Sequence, residues 1–131
     1  MSSSSSKSAK LAYHFGTVTT NSVTTDNLYL DKGSVTQASS ITTSVTLPKP
    51  VGLVRTVSST LAALTSTQFK INYDYIDSNS VIFASVGAYS GTGIPYINVV
   101  SYSAGSSTLG LSNLSTSGAL NGPVTVAYQI L

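Results

Sequence analysis

The stretch Gln68-Phe69-Lys70-Ile71-Asn72-Tyr73-Asp74-Tyr75 alternates without a break, with Phe69, Ile71, Tyr73 and Tyr75 on one parity and Gln68, Lys70, Asn72 and Asp74 on the other. A period of two is that of a β-strand with one face buried and the other wet. Working toward the C-terminus, Ser80 to Tyr89 (SVIFASVGAY) is apolar on both parities, which predicts a central strand or one covered by a partner chain. The turn Ser90-Gly91-Thr92-Gly93 leads into a strand over Ile94 to Tyr102, and Ser107 to Ser112 follows Ala104-Gly105. After Asn121-Gly122-Pro123, the residues Val124, Val126, Tyr128 and Ile130 alternate with Thr125, Ala127 and Gln129. Working toward the N-terminus, Val51 to Val57 and Ile41 to Leu47 read as strands, separated by Pro48-Lys49-Pro50. Seven strands with no helical period between them predict an all-β fold, an antiparallel β-sandwich or jelly roll over residues 38–131.

Composition agrees with that class. The chain has 131 residues, room for one domain and a tail. It contains 25 Ser and 17 Thr, but only six Lys or Arg, four Asp and no Glu, so hydroxyls rather than charges must face the water. Good helix formers are sparse and β-branched residues abundant. The basic residues are scattered singly from Lys7 to Lys70, with no run that could track a phosphate backbone, which argues against nucleic-acid binding. No stretch approaches the ~20 apolar residues of a membrane span, and the opening Met1 and Ser2 to Ser6 lacks the basic and apolar regions of an export signal. A soluble chain without membrane insertion is expected. Cysteine is absent, so neither a disulfide framework nor a thiolate metal site is available.

Residues 1–15 read as an extended anchoring arm. Its first twelve residues, MSSSSSKSAKLA, are too poor in apolar surface to offset the entropy of ordering, and Tyr13, His14 and Phe15 are its candidate docking point on a neighbour. Residues 16–37 read as a linker or short β stalk. Single apolar residues stand there between polar turns, and Val18-Thr19-Thr20-Asn21 nearly repeats as Val23-Thr24-Thr25-Asp26. Such segments stack only when other chains supply the missing face.

Catalytic chemistry finds little to work with. There is one histidine, His14, in the arm, and no Gly-x-Ser-x-Gly elbow among the many serines, so the chain reads as a non-enzyme without catalytic residues. Asp74 and Asp77 could share a hard cation with carbonyls of Asp77-Ser78-Asn79, but Asx residues at a strand end more often bond their own backbone to make the turn. Asp26, Asn27 and Asp31 invite the same two readings, and no metal or cofactor is assigned. Gly91-Thr92-Gly93 has no helix after it and reads as a hairpin, not a phosphate cradle. Eight tyrosines against three phenylalanines make Tyr89, Tyr96 and Tyr102 a candidate interface or recognition patch, for a sister subunit first and a glycan or protein second. The sequon Asn113-Leu114-Ser115 would matter only in a secreted chain.

Several segments in order, Val35-Thr36-Gln37, Ser40 to Leu47 and Lys49-Pro50-Val51-Gly52, resemble a recurring pattern in small β-rich virion proteins of tailed phages and large algal viruses, of the fibre, decoration or minor capsid type. The resemblance continues through Phe69-Lys70-Ile71-Asn72, the strand after Ser80, the turn Ser90 to Pro95 and the run Ala119 to Val124, so it spans roughly residues 17 to 131. Arg55 and the segment Tyr73 to Tyr75 depart from the pattern. What the resemblance implies is a homotrimer on the virion, at the capsid surface, whose partners are itself and the major capsid or other virion proteins. A capsid decoration or minor capsid protein is the first expectation, because the stalk spans at most ~80 Å even when fully extended. A short tail or head fibre tip that binds a host surface glycan or protein is the alternative. A secreted carbohydrate-binding module is disfavoured by the absence of Trp.

Overall fold

A computed structural model describes residues 22, 24, 31–58 and 60–131. The compact unit Asp31–Leu131 is all strand and loop. Its strands are β1 (Lys32–Thr36), β2 (Val45–Thr46), β3 (Val51–Arg55), β4 (Ser66–Asn72), β5 (Ile82–Ala88), β6 (Pro95–Ser103), β7 (Ser106–Asn113) and β8 (Thr125–Ile130). They make two four-stranded sheets, the first in the order β1-β3-β8-β5 and the second β2-β4-β7-β6. The arm 1–15, with Tyr13, His14 and Phe15, and the near-repeats of 18–26 lie outside the described residues.

Both sheets contribute to one core, so the arrangement is sandwich-like. Val54, Val126, Tyr128 and Ile130 come from the first sheet; Val45, Phe69, Ile71, Ile97, Leu109 and Leu111 come from the second. Alternation does the sorting, as in β8, where Val126, Tyr128 and Ile130 are buried and the residues between them only partly so. The one buried hydroxyl that an aromatic brings into this core, that of Tyr128, donates to the Lys49 carbonyl oxygen at 2.8 Å.

Both sheets are mixed, where antiparallel ones were expected. β1 runs parallel to β3 and β2 parallel to β4, while the remaining pairs are antiparallel. Parallel neighbours need a long crossover. Here residues 37–50 leave the first sheet, lend β2 to the second and return, and β3 does the converse between β2 and β4. The β1–β3 pair is close at Gly33 and Gly52, which face each other in register. A Cβ on Gly52 would stand 2.0 Å from the Gly33 carbonyl oxygen. Strand β1 falls inside the segment expected as linker or stalk, and its pairing with β3 together with Val35 packed against the core holds it as an edge.

Three further expectations change. Of Ile41 to Leu47 only Val45–Thr46 is strand, because buried Gln37 fastens the preceding loop: its Nε2 donates to the carbonyls of Ile41 and Thr43, and its Oε1 accepts from the Val57 amide. Tyr75 does not join Phe69 and Ile71 inside but is 78% exposed. The strand ends at Asn72, the amide of Ile76 bonds to the Tyr73 carbonyl at 3.0 Å, and Ile76 enters the core in its place. Finally, β5 is an edge strand of the first sheet, not a central one.

Candidate interaction surfaces

Pairing register maps the outer face of the first sheet. One row crosses it as Lys32, Val51, Gln129 and Phe83, and the next as Ser34, Leu53, Ala127 and Ser85. Beyond Phe83, Val81 and Leu131 exchange backbone hydrogen bonds at 3.0 and 2.8 Å and extend the same face. Phe83 is 56% exposed and Leu53 44%, with Val81 and Leu131 exposed beside them. The inward parity of these strands, by contrast, packs Ile82, Ala84, Val86 and Val54 against the core. The inner face of this sheet is apolar, while its outer face is mixed, with Val51, Leu53, Ala127 and Phe83 among Lys32, Ser34, Gln129 and Ser85. The edge position of β5 rules out one of the two sequence readings of Ser80 to Tyr89, a central strand.

On the second sheet Gln68, Lys70 and Thr108 share a shallow depression with Thr42, Ser44 and Phe69, and Tyr96 and Val100 are exposed on β6.

The three tyrosines singled out from the sequence are not brought together. Tyr96 and Tyr102 are both exposed on β6, six residues apart, which is roughly 20 Å along a strand. Tyr89 serves the loops: its hydroxyl donates to the Thr92 carbonyl and accepts from the Asn121 amide at 3.0 Å, while the Asn121 side-chain oxygen accepts from the Thr92 amide at 2.8 Å. Gly91-Thr92-Gly93 is thus a turn clasped to residues 119–121, but not the hairpin expected, because β5 and β6, which it joins, belong to different sheets.

Asp77 and Asp31 are bonded within the fold. Asp77 Oδ1 accepts from the Asn79 amide at 2.8 Å, and the Ser80 hydroxyl accepts from the Asp77 amide at 3.0 Å, which makes an Asx turn. Asp74 lies exposed in the preceding turn. Asp31 pairs with Lys49 at 2.7 Å, and Asp26 and Asn27 lie outside the described residues. Among the described residues no cluster of three or more His, Cys, Asp or Glu could hold a metal.

Sequence reasoning missed Asn113. Fully buried at the end of β7, its Oδ1 accepts from the amides of Ile94 and Ser115, and its Nδ2 donates to the carbonyls of Leu61 and Gly118 at 3.1 and 2.7 Å. Both amide hydrogens of the sequon are in use, so the folded chain offers no glycan acceptor there. Its own backbone holds Leu64, whose amide donates to the Asn113 carbonyl and whose φ of 58° is the one positive value at a non-glycine among the described residues. Around this hub Leu64, Ile94 and Leu114 form a second, smaller exposed apolar group.

No family model, curated protein or solved structure matches the chain.

Proposed function

We propose that this chain is a non-enzymatic structural component of a virus particle, a capsid decoration or minor capsid protein that attaches through its N-terminal arm and associates with copies of itself. The observation that supports the assembly half is the set of exposed apolar side chains on the first sheet's outer face, Leu53, Val81, Phe83 and Leu131, on a chain with few charges. A face of this kind on an otherwise hydroxyl-rich domain marks a contact surface. The virion half is supported by the ordered resemblance over roughly residues 17 to 131. Within this reading the two sheets form a sandwich that serves as the body of the protein, and residues 1–15 reach a neighbour in the capsid.

Cosedimentation with purified particles tests it: deleting residues 1–15 is expected to reduce loading strongly while the circular dichroism of the strand domain is kept. Full occupancy by the deletion variant would sink the anchoring role. The exposed Tyr96 and Tyr102 favour a second reading, a fibre tip that contacts a host glycan or protein. Specific binding of labelled protein to host cells, abolished by Tyr96→Ala or Tyr102→Ala without unfolding, would displace the decoration reading.

A further inference from the structure

Asn121-Gly122 is the one Asn-Gly pair in the chain, and Asn121 stands exposed in the loop between Leu120 and β8. We infer that this pair is a self-modification site, at which the folded protein converts Asn121 into a carboxylate without an enzyme. The Gly122 amide nitrogen attacks the side-chain carbonyl carbon of Asn121. The N–Cγ bond forms, the Cγ–Nδ2 bond breaks, and Nδ2 leaves as ammonia with the proton of the Gly122 amide. Water then opens the cyclic imide. Cleavage of the N–Cγ bond gives aspartate. Cleavage between the same nitrogen and the main-chain carbonyl carbon of residue 121 gives isoaspartate, whose main chain runs through Cγ. Water is the only co-reactant, and nothing is oxidised or reduced.

The clasp on residues 91–93 prepares both ends of the amide. Oδ1 accepts from the Thr92 amide at 2.8 Å, so a donor already stands where negative charge develops as nitrogen adds to Cγ. Gly91 makes room for that oxygen, since a Cβ there would lie 2.2 Å from it. Nδ2, the leaving group, has no hydrogen-bond partner among the described residues. Gly122 brings no Cβ to crowd its nitrogen. Every other asparagine precedes a residue with a side chain, as Asn79 precedes Ser80 and Asn98 precedes Val99. Asn113 is the opposite case throughout: it is buried, its Nδ2 donates to two carbonyls, and Leu114 follows it.

The two products act differently on the fold. Aspartate keeps the acceptor for the Thr92 amide and charges it, which strengthens that bond, and the lost Nδ2 held nothing. Isoaspartate lengthens the main chain where both flanks are fixed. Leu120 exchanges backbone hydrogen bonds with Leu61, and Val124 is bonded through its amide and its carbonyl to Thr56. The added carbon therefore displaces the residue 121 amide from the Tyr89 hydroxyl that accepts from it.

Mass spectrometry of the full chain, kept folded for weeks in warm neutral buffer made with heavy-oxygen water, tests the site. Peptides spanning residue 121 are expected to exchange NH2 for a solvent-derived OH, while those spanning Asn98 and Asn113 stay unchanged. Gly122→Ala is the sharper probe. Its Cβ would meet nothing nearer than Tyr89 Cε1 at 3.9 Å, so the urea midpoint should hold, yet the crowded nitrogen should slow conversion about tenfold or more. Asn121→Asp should unfold at the parent's midpoint, and a lowered one would overturn the placement of Oδ1 on which the step depends. An Asn121 that converts in urea but stays intact in the folded chain means that the clasp shields the amide, and overturns the inference. So does equal conversion at the other asparagines, or a rate that Gly122→Ala leaves unchanged.

Discussion

Replacing Asn113 by alanine would leave the carbonyls of Leu61 and Gly118 and the amides of Ile94 and Ser115 without their partner, in a place where water reaches poorly. A stranded buried polar group costs about 1–3 kcal/mol, so Asn113→Ala should lower the unfolding free energy by about 3 kcal/mol or more, read as a shift of the urea midpoint. Tyr128 answers to pH instead. Burial first, and Tyr73 second, raise its phenol above the ordinary 10.0, while the hydrogen bond and charge of Asp31 raise Lys49 above 10.5. Each folded-state value lies above the unfolded one, so both contributions are whole below the unfolded pKa and are lost as pH rises through the folded one. Urea midpoints should therefore decline above about pH 10. Tyr128→Phe should make that decline shallower, and at neutral pH it should cost about 1 kcal/mol for the lost bond to Lys49. The sequence revealed Tyr128 as an inward residue through its parity in Val124 to Ile130. It could not reveal Asn113, whose burial depends on the distant chain at Leu61 and Ile94 as well as on its own following loop, and whose spacing to Ser115 mimics a glycan signal.

At the level of strands, Gly52 is the most exacting position. Any side chain there runs into the backbone of Gly33, so Gly52→Ala should pry β1 from β3 while the β3–β8 pair survives. Amide hydrogen exchange is the measurement: protection should fall for 32–36 and persist for 125–130, and uniform loss across both would contradict an independent edge. Strands with strong local patterns were legible, and β4, β6, β7 and β8 lie close to where alternation and Gly turns put them. β1 was not, because Lys32-Gly33-Ser34-Val35-Thr36 carries a single large apolar residue and owes its conformation to a partner strand far along the chain. The parallel pairings were hidden for the same reason, since a local pattern says nothing about direction relative to a remote neighbour. What could be read of the candidate site was the two-sided apolarity of Ser80 to Tyr89. Its edge position required the strand order.

Considered whole, the unit manages its strand edges unevenly. β2 has two residues, β1 presents Lys32, and both β5 and β6 carry bulges, all of which discourage growth by strand addition. The strand order also has a consequence for synthesis. The inner members of the two sheets are β3 with β8 and β4 with β7, so each sheet is closed by a strand made late. A growing chain that has reached β6 can form only the parallel pairs β1–β3 and β2–β4, and Val54, Phe69 and Ile71 wait for their antiparallel neighbours. Folding is then a single late event, governed by distant pairings, and dilution from urea should give refolding in the millisecond-to-second range. During that wait the nascent apolar strands are open to sister chains on the same message.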